Sequence, residues 1–295
     1  MAKRKKNHKK NDFEMSYYLV AFIDMLGQQE LLRNLKKLPD SNKPEENELF
    51  FETIKKTYGS VRAMQNSFAD FFSGYSKRQP DEEGLTGKQK NIIKQLCNNP
   101  IKFQRFSDCI AISLSLRDDV NKVPMRGIYG ILGASAITFL TCLARGCPIR
   151  GGIDVGLGME IRKNEIYGPS LSRAYTLESH IAQYPRLVLG EELIQYLHYH
   201  ASVEPENEHE TLRKITSQHC LDLLLTDDDG YPIVDYLGKN LIADNYDELV
   251  AKAYKEILKK SVEFQKTKNT KLATRYSKLQ GYFEKKVPKI CSKYS

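Results

Sequence analysis

The sequence predicts an α+β domain whose central sheet follows a βαββαβ order, carrying a helical insertion and a helical C-terminal extension. Three observations predict it. Short apolar segments rich in β-branched and aromatic residues recur at 15–23, 101–116 and 148–156, helical stretches separate them, and glycine, proline and charge gather between these segments.

Met15 to Ile23 reads Met-Ser-Tyr-Tyr-Leu-Val-Ala-Phe-Ile and stops at Asp24, before the turn Met25-Leu26-Gly27-Gln28. This is the pattern of a buried strand with a carboxylate at its end. Helices are expected from Gln28 to Leu38 and from Glu48 to about Phe72, with a polar loop at Pro39 to Glu48 between them. Ser73 to Lys90, rich in glycine, proline and charge, reads as a surface excursion, and Asn91 to Cys97 as a short helix. Ile101 to Leu116 divides into two strand patterns around Ser107-Asp108, as a tight hairpin does. Ile128 to Ala144 is an apolar helix ended by Arg145-Gly146, and Pro148 to Gly156 is again a strand. Strand, helices, strand pair, helix, strand is the order of a ferredoxin-like sheet backed by helices on one face. Beyond it, a helix from Leu171 to Glu178 opens at Gly168-Pro169-Ser170. A strand at Arg186 to Gly190, a helix at Glu191 to His200 and a closing hairpin at Leu221 to Asp235 follow. The organisation expected is a basic N-terminus (1–14), a catalytic domain (15–240, with the helical insertion at about 35–100) and a basic helical extension (241–295).

A chain of 295 residues with 41% hydrophobic and 28% charged residues is globular, which excludes a collagen, a coiled-coil rod or a disordered tail. Its apolar runs stop short of the ~20 residues that span a bilayer. The basic start is not followed by a signal-peptide pattern, so no membrane partner and a cytoplasmic location are expected. Six cysteines without Cys-x-x-Cys spacing read as free thiols and not as a zinc site. The net charge of +8 is concentrated at the ends: residues 1–10 hold +6 and 252–295 hold +10, which leaves −8 on the body. Tails of this kind are solvated or dock on acids of the body or of a neighbouring subunit, so nucleic acid is not the expected partner. Tyr254, Ile257, Leu258, Val262 and Phe264 have rough helical spacing, which predicts one packed face with the lysines in water.

Asp24 and Asp108 both stand at strand ends. If those strands are neighbours, two carboxylates emerge at one sheet edge, where their repulsion is relieved by divalent cations with oxygen ligands, Mg²⁺ or Mn²⁺. A pair of ions there would clamp a triphosphate for displacement at phosphorus, with the backbone N–H groups of Leu26, Gly27 and Gln28 on the phosphates. Spacing alone points somewhat more to Asp24 as a helix or turn cap and Asp108 as a hairpin-turn residue.

The segments Ala21-Phe22-Ile23-Asp24-Met25-Leu26-Gly27, Phe106-Ser107-Asp108, Ile149-Arg150-Gly151-Gly152-Ile153-Asp154-Val155-Gly156 and Ile166-Tyr167-Gly168-Pro169-Ser170-Leu171-Ser172-Arg173-Ala174-Tyr175-Thr176-Leu177-Glu178 resemble, in order and spacing, the catalytic domain of class III nucleotidyl cyclases. The resemblance covers roughly residues 15–235. More narrowly, Phe-Ser-Asp-Cys-Ile-Ala-Ile-Ser, Arg-Gly-Gly-Ile and the stretch ending Tyr-Thr-Leu-Glu look like the cyclases of bacterial Pycsar anti-phage systems, which make 3′,5′-cyclic UMP or CMP.

The resemblance implies that Asp24 and Asp108 are the metal-binding aspartates and that the Met25 carbonyl is the backbone ligand of two Mn²⁺ or Mg²⁺ ions. It places base selection on Gln104 and Glu165, which match neither the adenine-selecting nor the guanine-selecting pair, so a pyrimidine triphosphate is implied, UTP first and CTP second. The family's transition-state Asn and Arg fall on Ser172 and Thr176, neither of which carries a guanidinium. Arg173 and Arg105 are the candidate replacements, and Arg150 matches a common arginine of the family strand. A homodimer with sites at its interface, and a separate effector protein that answers the cyclic nucleotide in antiviral defence, are further implications. The rival expectation is a degenerate cyclase-like module that binds nucleotide or nucleic acid as a regulator.

Overall fold

Leu19-Val20-Ala21-Phe22-Ile23 is buried on both sides, and it occupies the middle of β1 (Ser16–Met25), at the centre of the sheet. The computed structural model describes residues 15–33, 35–40, 42–77, 86–95, 101–117, 124–162, 164–241 and 246–294. The basic start at 1–14, the middle of the Ser73 to Lys90 excursion and Cys97 lie outside the described residues.

After β1 come α1 (Gln28–Arg33), α2 (Pro44–Lys77), α3 (Gly87–Gln95), β2 (Ile101–Arg105), β3 (Cys109–Ser115), α4 (Pro124–Ala144) and β4 (Ile149–Arg162). These strands lie in the order β2-β3-β1-β4 and are antiparallel throughout, which is the arrangement of a ferredoxin-like βαββαβ unit. The fold class is α+β, as the element order predicts. The remaining elements are β5 (Glu165–Tyr167), α5 (Pro169–Thr176), a π-helical turn (Leu177–Ile181), β6 (Leu187–Leu189), α6 (Glu191–Ser202), α7 (Glu208–Leu221), β7 (Leu224–Thr226), β8 (Pro232–Val234), α8 (Tyr246–Lys266), α9 (Thr270–Lys286) and α10 (Pro288–Cys291). β6 joins β4 in parallel, and the β7–β8 hairpin extends the sheet beyond it.

The two faces differ. Ala21, Ile23 and Met25 face α4, an apolar helix nearly all of whose residues are buried, with α2 packed beyond it through Met64, Phe68 and Phe72. α4 is long and apolar enough to cross a membrane, but 83% of its most apolar window is covered by the protein's own core. Tyr18, Val20 and Phe22 face the other way, against Ala174 of α5, so helices cover part of both faces and not one alone.

Other boundaries moved for identifiable reasons. Pro44 and Pro124 start helices α2 and α4 several residues before the expected points, because proline fits the first helical turn, where its missing N–H is not needed. α1 ends at Arg33, short of Leu38. α7, absent from the periodicity reading, is capped by Asn207, whose side chain accepts from the Glu210 N–H at 3.0 Å. In α8, Tyr254 and Ile257 are buried as expected, while Val262 is exposed. α9 contributes Tyr276, Leu279 and Phe283 to the same core as β1 and α4. The Asp235 carboxylate accepts from Tyr282 Oη at 2.5 Å and Lys286 Nζ at 2.6 Å, so the basic extension does dock on an acid of the body.

Candidate active site

Three neighbouring strands align the site. Asp24 near the end of β1 stands opposite Cys109 of β3 on one side and Arg150 of β4 on the other. The Met25 N–H donates to the Asp108 carbonyl at 3.1 Å and the Leu26 N–H to the Pro148 carbonyl at 2.9 Å, so the segments flanking β1 are tied to its end. Gly27 then turns the chain with φ of +86°, a conformation that favours glycine.

One ligand atom each from Asp24, Asp108 and Cys109 lies within 4.8 Å of the others. Burial and the Cys109 neighbourhood of carboxylates push its thiol up to about 12, which keeps it neutral and a poor partner for a hard cation. The two carboxylates are oxygen donors, the kind that suits a hard divalent cation.

A third carboxylate, which the sequence reading gave no role, completes the cluster. Glu178 is only 2% exposed and lies in the π-helical turn after α5. Its Oε1 stands 2.5 Å from Arg150 Nε, which is 3.6 Å from Asp24 Oδ2. The close contact lacks the alignment of a hydrogen bond, so it is an ion pair. Burial is the main cause that pushes the Asp24 carboxyl up to about 7, helped by the charges of Glu178 and Asp108 and only partly opposed by Arg150. Burial also raises Glu178, against the pull of Arg150.

Gly152 makes this approach possible. A Cβ there would come within 2.2 Å of the Ala174 carbonyl oxygen and 2.8 Å of the Glu178 nitrogen, so its absence lets α5 and the π turn lie directly on β4. The Gly151-Gly152 pair in the strand was the signal in the sequence for this close packing.

The other expected site residues are distributed as follows. Leu26 is corrected, since its N–H already has the Pro148 carbonyl; Gly27 and Gln28 have no backbone acceptor for theirs among the described residues. Gln104 on β2 has a buried Oε1 with no partner among the described residues, and Glu165 is half-buried at the start of β5. Thr176 Oγ1 donates to the Ser172 carbonyl at 2.9 Å, and both residues are exposed. Arg173 pairs with Glu192 at 2.9 Å, whereas Arg105 is exposed, 5.7 Å from the Phe103 ring centre, with no carboxylate partner among the described residues. Beside Asp24, Phe22 packs against Phe106 and edge-on against Tyr175, which are 42% and 50% exposed and leave an open aromatic surface.

No family model and no curated protein matches the chain. Among solved structures it is similar to the adenylyl cyclase CyaB from P. aeruginosa, at 13% identity and a TM-score of 0.46 over 79% of this chain and 100% of that one. It is also similar to a bacterial light-regulated adenylyl cyclase, at 12% identity and a TM-score of 0.40 over 81% and 99% of the two chains. Likenesses at this level carry no argument about the chemistry of the site.

Proposed function

We propose that the protein is a metal-dependent nucleotide cyclase that converts a pyrimidine ribonucleoside triphosphate, UTP before CTP, into its 3′,5′-cyclic monophosphate and pyrophosphate. The observation that carries the reading is the convergence of Asp24 and Asp108 within 4.8 Å at one end of the central strands, with Asp24 held in an environment that resists its negative charge. Asp24, Asp108 and the Met25 carbonyl hold two Mn²⁺ or Mg²⁺ ions, which supply charge neutralisation at the phosphates when bound.

In the reaction the ribose 3′-hydroxyl gives up its proton to solvent water, its oxygen bonds to the α-phosphorus, and the bond to pyrophosphate breaks. The amides of Gly27 and Gln28 face the phosphates. Gln104, whose unpartnered Oε1 accepts a hydrogen bond, and Glu165 read the pyrimidine edge. Arg105, three residues before Asp108, is the better placed of the two candidate transition-state cations, because Arg173 is engaged by Glu192. A homodimer with its sites at the interface belongs to this reading, and the exposed Phe106 and Tyr175 rings leave an open surface beside Asp24 for it. The product acts as a second messenger in antiviral defence through a separate effector protein.

The test is incubation with Mn²⁺ and each of the four ribonucleoside triphosphates, followed by mass spectrometry for cyclic monophosphates, with Asp108→Ala as control. A cyclic pyrimidine nucleotide that disappears in the variant is the expected result. A cyclic purine product would overturn the base assignment, and turnover unchanged in Asp108→Ala would overturn the metal assignment. The second reading, a degenerate nucleotide-binding regulator, draws on Ser172 and Thr176 standing where a catalytic Asn and Arg would be expected; it predicts nucleotide binding without any cyclic product.

A further inference from the structure

α9 runs past the ends of β8 and β6, on the side of the sheet edge at which Asp24 and Arg150 lie. Residues 275, 278, 282 and 286, spaced by three, four and four, share one face of it. At its C-terminal end Lys286 and Tyr282 bond Asp235, which follows β8. One turn earlier Lys278 Nζ lies 5.2 Å from the ring centre of Tyr184, which leads into β6. The strands run in the order β8-β6-β4-β1, and a helical turn of about 5.4 Å nearly matches a strand spacing of about 4.8 Å. The next turn of α9 therefore brings Arg275 to the end of β4, where Arg150 stands, and the charge of Arg150 is felt there.

Arg275 is half-buried and has no carboxylate partner among the described residues. The guanidinium of Arg150 is held by Glu178, and Arg173 by Glu192. A cation that is partly desolvated and faces a second cation is unfavourable unless an anion joins them. We infer that Arg275 is a phosphate-binding cation of this site, delivered by the C-terminal extension to the polyphosphate chain of a nucleoside triphosphate. The inference rests on the cyclase reading for the identity of the anion, and on the helix geometry for its place.

The experiment is titration of the full chain, with Mn²⁺ present, by inorganic triphosphate, alongside the turnover assay with the four nucleotides. Arg275→Ala is expected to weaken triphosphate binding at least tenfold and to raise the KM of the nucleotide that turns over by a similar factor, with Arg275→Lys recovering part of both. Lys278→Ala, which removes an equal charge from the same face over Tyr184, is expected to leave both within twofold. An Arg275→Ala protein that binds triphosphate like the wild type overturns the inference, as does an equal loss in Lys278→Ala, which would mark a general effect of charge. Wild-type turnover with an unchanged KM in Arg275→Ala sinks the inference and leaves the cyclase standing. Triphosphate binding that depends on Arg275 without any cyclic product supports the inference and sinks the cyclase. A wild-type protein that binds no triphosphate overturns the inference, and one that also makes no cyclic product overturns the cyclase as well.

Discussion

The Glu178 carboxylate lies 2.5 Å from Arg150 Nε, closer than the 3.6 Å that separates this guanidinium from Asp24. Arg150 is therefore held first by the π turn, and it offers Asp24 only partial compensation. Two carboxylates, Asp24 and Glu178, share this guanidinium in a largely buried corner, so neither is fully compensated.

Breaking that pair from one side strands a buried charge. Arg150→Met leaves Glu178 and Asp24 facing each other, and a loss of about 3 kcal/mol in unfolding free energy is expected at neutral pH. The double variant Arg150→Met/Glu178→Leu removes both charges and should recover most of that loss. Urea unfolding of the two single variants and the double gives the coupling directly; additive losses would show that the two side chains do not act as a pair.

Burial, with the charges of Glu178 and Asp108, pushes the Asp24 carboxyl up to about 7 in the fold, against 3.8 for the unperturbed group. Between those values the folded state binds a proton that the unfolded chain has released, so this group's contribution to stability falls as pH rises through that window and levels off above it. The metal-free protein should lose several degrees in Tm between pH 5 and pH 8. Mn²⁺ added at pH 8 should restore them, and should do less at pH 5, where it must displace a proton. Asp24→Asn removes the Mn²⁺ effect and reduces the pH effect to the part that the raised Glu178 carboxyl keeps, while making the metal-free protein at pH 8 no less stable than wild type. A Tm that is flat with pH in the wild type, or an Asp24→Asn protein that Mn²⁺ still stabilises fully, would contradict the assignment.

Gly152→Ala tests the placement of Glu178 without touching a charge. The added methyl meets the Ala174 carbonyl, Leu177 Cβ and the Glu178 nitrogen at 2.2 to 2.8 Å, and backbone on that side has to move. A destabilisation of about 3 kcal/mol or more is expected, within the upper range for overpacking, together with loss of any turnover. Gly281→Ala, where nothing lies within 4 Å, should stabilise α9 slightly, and thermal melts of the two variants side by side make the comparison.

Much of this fold was legible because its signals are local. Apolar runs with β-branched residues gave β1, the β2–β3 hairpin and the start of β4, and the positions of Asp24 and Asp108 at strand ends followed from them. Glu178 was not legible as a site residue. It reaches Arg150 only because a π turn shifts the register after α5 and because Gly152 admits the helix, two facts about packing between distant segments that periodicity does not encode. The engagement of Arg173 by Glu192 and of the Leu26 amide by Pro148 were hidden for the same reason, since each partner comes from a separate element. Net charge was legible at the chain ends, but not which residue of the body would receive it; Asp235 does so because it lies at the end of β8, where α9 crosses.

That crossing gives the last prediction. Phe283 is fully buried in the core that also holds β1 and α4, packing near Tyr236 and Tyr254, so the extension is bound to the body by apolar contact as well as by Asp235. Phe283→Ala removes a large buried ring and is expected to cost about 3–5 kcal/mol. Asp235→Asn weakens the clamp on Tyr282 and Lys286 and is expected to cost about 1–2 kcal/mol, less than the ring because the amide still accepts one hydrogen bond. If α8 and α9 were an independent appendage, Phe283→Ala would unfold them alone, and the melt would separate into two transitions. A single transition shifted to lower temperature, with helix and core signals lost together in far-UV and near-UV circular dichroism, is the outcome that the shared core requires.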